Sequence, residues 1–190
     1  MKRIIYIQQI GEIDNSVLIR LKEDLELKFN QFNIVVEILQ EQIQLEDSEY
    51  NSKGDQYNAN KILNMVIKFN QSKQFFRLLG VLDKDIYTKD YNFIFGTTRL
   101  FSRVTLISIT RLREGFYENL GSIYKKPNNN TKFDLRVLKE AIHELGHTFG
   151  LKHCSNSCIM LFSNCLADTD NKPTKFCVSC LKNIKDSQII

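Results

Sequence analysis

The chain has 190 residues, 43% hydrophobic and 25% charged, which suits one compact soluble domain spanning 1–190. Its formal charge of +4 arises from 26 basic against 22 acidic residues. The basic residues are spread along the chain, whereas a nucleic-acid surface leaves a concentrated patch or stripe, so no nucleic-acid partner is expected. No apolar run approaches the ~20 residues that span a bilayer, which argues against a membrane.

The opening segment, MKRIIYIQQI, carries two basic residues, but Gln8 and Gln9 break its apolar run and it lacks a small-residue cleavage site. A cytoplasmic setting is expected. Residues 3–7 read as a strand, and 16–29 as a helix with Leu18, Leu21 and Leu25 at helical spacing. Residues 33–38 form a second β-rich run. Residues 39–56 are mostly polar, contain Gly54 and read as a loop. A helix over 57–70 shows Ile62, Leu63, Val66 and Ile67 on one face, and strand candidates follow at 76–82, 91–95 and 104–109. Strand, helix, strand, helix, strand predicts an α/β fold with a mostly parallel sheet and right-handed crossovers. Asn128, Asn129 and Asn130 read as a loop before the next helix, and no internal repeat is visible.

That helix is predicted over 132–149. Thr131 and Asp134 resemble a capping box, and Leu138, Ile142, Leu145 and Phe149 follow at 4-3-4 spacing as an apolar stripe. Its end carries HELGHTFGLKH, and all three histidines of the chain lie there, at 143, 147 and 153. Histidines four apart project from one helix face, so both imidazoles reach one ion at ~2.0–2.1 Å. Glu144 is placed to reach a metal-bound water, where a general base is needed. Gly150 permits the positive φ of a helix end, after which His153 returns as a third ligand. Three imidazoles leave one tetrahedral position open, which distinguishes a catalytic zinc from a structural one. A core helix with merely satisfied histidines would not require Gly150 and His153 in register.

The pattern HExxHxxGxxH resembles the metzincin clan, with Met160 as the Met-turn residue. The resemblance implies that Met160 lies beneath the zinc as an apolar floor and is not a ligand. Some metzincins place a ligand tyrosine two residues after that methionine; Phe162 stands there in this chain, so no such ligand is expected.

Cys154, Cys158, Cys177 and Cys180 form CxxxC followed by CxxC, a pattern suited to a closed zinc site with four thiolate ligands. Disulfides are the competing reading, which the absence of a secretory signal disfavours. Cys165 is left over and reads as a buried or half-buried thiol.

HExxHxxGxxHC, then C-x-M, then FCxxC, is similar to the archaemetzincin family over residues 139–181, and only generally so before them. The chain has three residues between the first two cysteines where that family is expected to have four, a departure that concerns the loop and not the ligand set. The resemblance implies a metzincin-like zincin: a twisted mixed sheet packed on an active-site helix, with a C-terminal segment bound through four cysteines to zinc. Residues 1–130 would form the upper part, 131–153 the active-site helix and third ligand, and 154–190 the Met-turn and cysteine segment.

The expected activity is zinc-dependent peptide hydrolysis on peptides or proteins. Two zinc ions are expected: a catalytic one on His143, His147 and His153, and a structural one on the four cysteines that pins the tail beneath the site. Glu144 takes the water's proton and returns it to the leaving amine. In metzincins an edge strand above the cleft binds extended substrate, and residues 103–110 are the candidate because they precede the active-site helix. The alternative function is a zinc-stabilised peptide-binding or low-activity module with a blocked cleft. No propeptide is expected before the first strand, so a cover would come from 39–56, 115–131 or the C-terminal tail. Asp168 and Asp170 are the carboxylates considered for binding a substrate amine. Substrate preference and oligomeric state are not readable.

Overall fold

The computed structural model describes residues 3–99, 102–118 and 130–187. The first half builds β1 (Arg3–Ile10), α1 (Asn15–Phe29) and β2 (Ile34–Ile38). Then follow the short strands β3 (Tyr50–Asn51) and β4 (Gln56–Asn58), α2 (Ala59–Lys73) and β5 (Arg77–Leu82). The second half adds β6 (Ile86–Tyr87), β7 (Gly96–Thr98), β8 (Val104–Ser108), α3 (Glu114–Glu118), α4 (Asn130–Thr148), α5 (Leu166–Asn171) and α6 (Val178–Ser187). Local chemistry sets several ends. The Asp14 carboxylate accepts the Ser16 N–H at 2.9 Å to start α1, and Asn58 accepts the Lys61 N–H at 3.1 Å to start α2. Asn33 and Gln74, at φ of 55° and 56°, turn the chain out of helical segments into β2 and β5.

The main sheet has the order β2-β1-β5-β8-β7. The first four strands are mutually parallel and β7 is antiparallel to β8, so the sheet is the mostly parallel mixed sheet expected. Strand side chains alternate between its faces. Ile5, Ile7, Leu79, Val81 and Ile107 pack against α1 and α4. Ile10, Leu78, Leu82, Val104 and Leu106 pack against α2. Burial on both faces is why these strands are continuously apolar.

Four expectations change. Residues 103–110 do not form the edge: β8 is buried throughout and lies between β5 and β7. The edge is β7, because the chain doubles back after residue 95 and pairs antiparallel outside β8. Residues 91–95, expected as a strand, precede β7 and line a cleft; Phe93 and Phe95 meet edge to face at 5.5 Å, and the Arg111 guanidinium lies 4.2 Å over Phe93. Finally, α4 starts at Asn130, with Thr131 already inside it. The Asp134 carboxylate does not close a capping box but binds Arg20 of α1, at 2.8 and 3.1 Å. The loop expected at 39–56 carries β3 and a helical turn at Asp47–Glu49.

Candidate metal centre and catalytic cleft

The apolar stripe of α4, Leu138, Ile142, Leu145 and Phe149, is buried in the core, and this orients the opposite side of the helix towards the cleft. His143, His147 and His153 gather there, with one ring nitrogen from each lying within 4.8 Å of the others. Their ring centroids form a triangle of 4.8, 5.0 and 5.3 Å.

The helix ends in a Schellman turn. The Gly150 N–H donates to the His147 carbonyl at 2.9 Å and the Leu151 N–H to the Gly146 carbonyl at 3.2 Å, with Gly150 at φ 85°. The same turn returns the Leu151 carbonyl, which accepts the His147 Nδ1–H at 2.7 Å. His143 Nδ1 donates to the Ile159 carbonyl at 2.9 Å. With both Nδ1 atoms protonated, both Nε2 atoms present lone pairs, and these face each other at 3.2 Å. Two lone pairs at that distance repel unless a cation lies between them. Tetrahedral zinc with its usual bonds holds its nitrogens roughly 3.3 Å apart, so the donor set fits the ion. Burial lowers all three histidine pKa values, His143 furthest, which favours the neutral ligand form.

Met160 is fully buried against the turn of α4 that carries Gly146, between His143 and His147 in sequence. The backbone of α4 rests so closely on it that a Cβ at Gly146 would collide with the Met160 sulfur. Phe162 lies 4.9 Å from His153, centroid to centroid, and offers no oxygen for coordination.

Cys154, Cys158, Cys177 and Cys180 also converge, one sulfur each within 4.8 Å. All five cysteines are free thiols. The Cys154 and Cys177 sulfurs lie 3.8 Å apart, close to the roughly 3.8 Å expected around a tetrahedral zinc thiolate. The Cys180 backbone amide draws the Cys177 thiol down to about 6, while burial pushes Cys158 and Cys180 up. Cys165 is exposed and not part of the group, contrary to its expected burial: it sits at the N-cap of α5, a surface turn.

One residue joins the two groups. The Ile159 carbonyl receives His143 Nδ1–H, and its N–H donates to the Lys175 carbonyl at 2.9 Å. It follows Cys158 and precedes Met160. The Cys154 N–H donates to the Met160 carbonyl at 3.0 Å, which closes the loop between them.

The cleft above the histidines has a volume of about 380 Å³. Tyr91, Phe93, Phe95 and Phe162 give it aromatic walls, and β7 forms one rim. None of residues 39–56 lines it, nor do residues 115–117; 119–129 and 188–190 lie outside the described residues. Asp168 caps its own turn by accepting the Asn164 N–H at 2.8 Å, and Asp170 binds Arg136, so neither reaches the cleft.

The carboxylates that do are Glu140 and Glu144. Glu144 is buried, which pushes its carboxyl up to about 8. Glu140 pairs with Lys172 at 2.7 Å, with side chains only 4% and 1% exposed. Glu140 sits one helical turn before Glu144, a spacing visible in the sequence; Lys172, Gly96 and Thr98 carry no local signal of their place in the cleft.

Comparisons with known proteins agree with this architecture. The model of a family described as Peptidase family M54 matches residues 6–186. An archaemetzincin from Methanocaldococcus jannaschii is 38% identical over 186 residues, covering 97% of this chain and 94% of its own. One from Pyrococcus furiosus is 35% identical over 188 residues, covering 98% and 94%. The crystal structure of archaemetzincin from Archaeoglobus fulgidus superposes with a TM-score of 0.77 at 34% identity, covering 95% of this chain and 99% of that one. That from Methanopyrus kandleri gives 0.80 at 26% identity, covering 100% and 97%.

Proposed function

Because the chain belongs to peptidase family M54, the archaemetzincins, we propose that it hydrolyses peptide bonds with His143, His147 and His153 as zinc ligands and Glu144 as general base. Family membership makes it a zinc metallopeptidase with peptide or protein substrates. The observation that carries the residue assignment is the tautomer arrangement: two backbone carbonyls commit the Nδ1 protons, so both Nε2 lone pairs converge. A bound zinc supplies polarisation of the scissile carbonyl and brings the pKa of a coordinated water to about 7.

The protein's own groups do the rest. An extended substrate adds to the free edge of β7, whose main-chain groups pair with it in any sequence. The aromatic walls exclude water and receive side chains. Glu144 accepts the proton of the attacking water and delivers it to the departing amine. We assign Cys154, Cys158, Cys177 and Cys180 to a second, structural zinc. The hydrogen bonds of Ile159 support this, since a clamp on Cys158 steadies the carbonyl that orients His143. Residues 1–190 then act as one catalytic unit, and a thiolate site with no disulfide suits a reducing compartment. Among the described residues no helix is long and apolar enough to cross a membrane.

Elemental analysis combined with digestion of an unbiased peptide library tests the reading. Two zinc ions per chain and cleavage abolished in Glu144→Gln, with zinc retained, are expected. Wild-type hydrolysis by Glu144→Gln would refute the role of Glu144, and zinc without any cleavage would favour a peptide-binding module.

A further inference from the structure

Glu144 does not hang freely in the cleft: two residues of β7 hold it. Gly96 lies flat against its stem, where an added Cβ would come within 2.6 Å of Glu144 Cγ and 2.9 Å of Oε1. Two residues on, and so on the same face of the strand, Thr98 Oγ1 lies 2.6 Å from Glu144 Oε2. Thr105 of β8 stands beside Thr98 with the two hydroxyl oxygens 2.5 Å apart, and its own distance to Oε2 is 3.3 Å. Each hydroxyl has one proton. The shortest consistent chain has Thr105 donating to Thr98 and Thr98 donating to the carboxylate, so each bond polarises the next.

Taking Glu144 as the general base, we propose that Thr98 is a positioning residue for it. Thr98 anchors Oε2 to the edge strand and Gly96 packs flat on the Cγ–Cδ stem, so that Oε1 is the oxygen that takes the proton. The strand that receives the substrate backbone is then the strand that aims the base. In the ionised form that a general base needs, Oε2 accepts the Thr98 hydroxyl as a charged acceptor, a hydrogen bond of the stronger class. A threonine at this position therefore does more than fill a β-strand, where valine would serve equally well.

The test uses zinc-loaded wild type, Thr98→Val, Thr98→Ser and Glu144→Gln, with zinc content measured for each. Two readouts are taken: kcat and KM on a peptide the wild type cleaves, and the calorimetric Kd of a peptide hydroxamate, which places an acidic hydroxyl where the attacking water would stand. For Thr98→Val the expected result is a kcat lower by roughly tenfold or more, KM within about twofold, and a comparable loss of hydroxamate affinity at unchanged zinc content. Thr98→Ser restores the donor and should restore most of both. Gly96→Ala, which pushes the Glu144 stem aside while leaving Thr98 intact, should lower kcat in the same way. Wild-type kcat and hydroxamate affinity in Thr98→Val, with Glu144→Gln inactive, would overturn the inference. An active Glu144→Gln fails at a different point: it removes the general base itself.

Discussion

Replacing Lys172 with Met tests the electrostatics of the cleft wall. The Lys172 ammonium lies 2.7 Å from Glu140 Oε1, and the two side chains are 1% and 4% exposed. Removing the cation strands a carboxylate almost wholly withdrawn from water, and breaking such a pair by truncating one partner costs about 3–5 kcal/mol. Thr169 Oγ1 still donates to the same oxygen at 3.2 Å, which puts the expected loss near the lower end, about 3 kcal/mol. That is a large share of the ~5–15 kcal/mol that holds a domain folded. Guanidinium unfolding followed by circular dichroism measures it. Free zinc must be fixed, because any ligand bound only by the folded state moves the midpoint by mass action. The midpoint should fall with an unchanged m value. The double variant Glu140→Leu/Lys172→Met should recover most of the loss, since an apolar pair of similar volume does not need solvating. A loss below about 1 kcal/mol, the range of an exposed pair, would refute the reasoning, as would a double variant no better than the single one.

Two further outcomes are expected. Hydrogen bonds from Arg136 hold the Asp170 carboxyl below the usual carboxylate range. A depressed folded pKa adds stability above the unfolded value of ~3.9, and that stability is lost as pH falls through the folded value. Asp170→Asn should therefore lower the urea midpoint at pH 7 and flatten its decline below about pH 5; an acid limb as steep as that of wild type would contradict this. Gly150→Ala has open space around the new Cβ but must hold φ at 85°, so it should cost about 1–2 kcal/mol in thermal unfolding. Gly150→Asn should cost less, and equal losses for the two would argue against a backbone origin.

The two candidate metal groups were legible because their geometry is local. Histidines four apart share a helix face, a glycine at the helix end permits the reversal, and cysteines four or three positions apart are brought close by the local chain. The apolar stripe of α4 and the parallel strand pattern were legible for the same reason: helix and strand periods are written in the residues themselves. Where reading failed, a distant partner decided. Asp134 looks like a cap, yet Arg20, 114 positions away in sequence, takes its carboxylate. Residues 103–110 precede the catalytic helix and so resemble the edge strand, but pairing order is not chain order. Cys165 reads as a buried or half-buried thiol because free cysteine behaves as a small hydrophobe, and the turn that starts α5 exposes it.

The grouping of His143, His147 and His153 and the place of Glu144 beside them were thus legible in the sequence alone, since covalent spacing and helical periodicity suffice to bring them together. Which strand borders the cleft, which residues hold Glu144 and what neutralises Glu140 were decided only in the folded molecule. Thr98, Thr105 and Lys172 stand 46, 39 and 32 residues from the groups they touch. Contacts over such separations depend on how the sheet closes and the tail packs, and no local period encodes that.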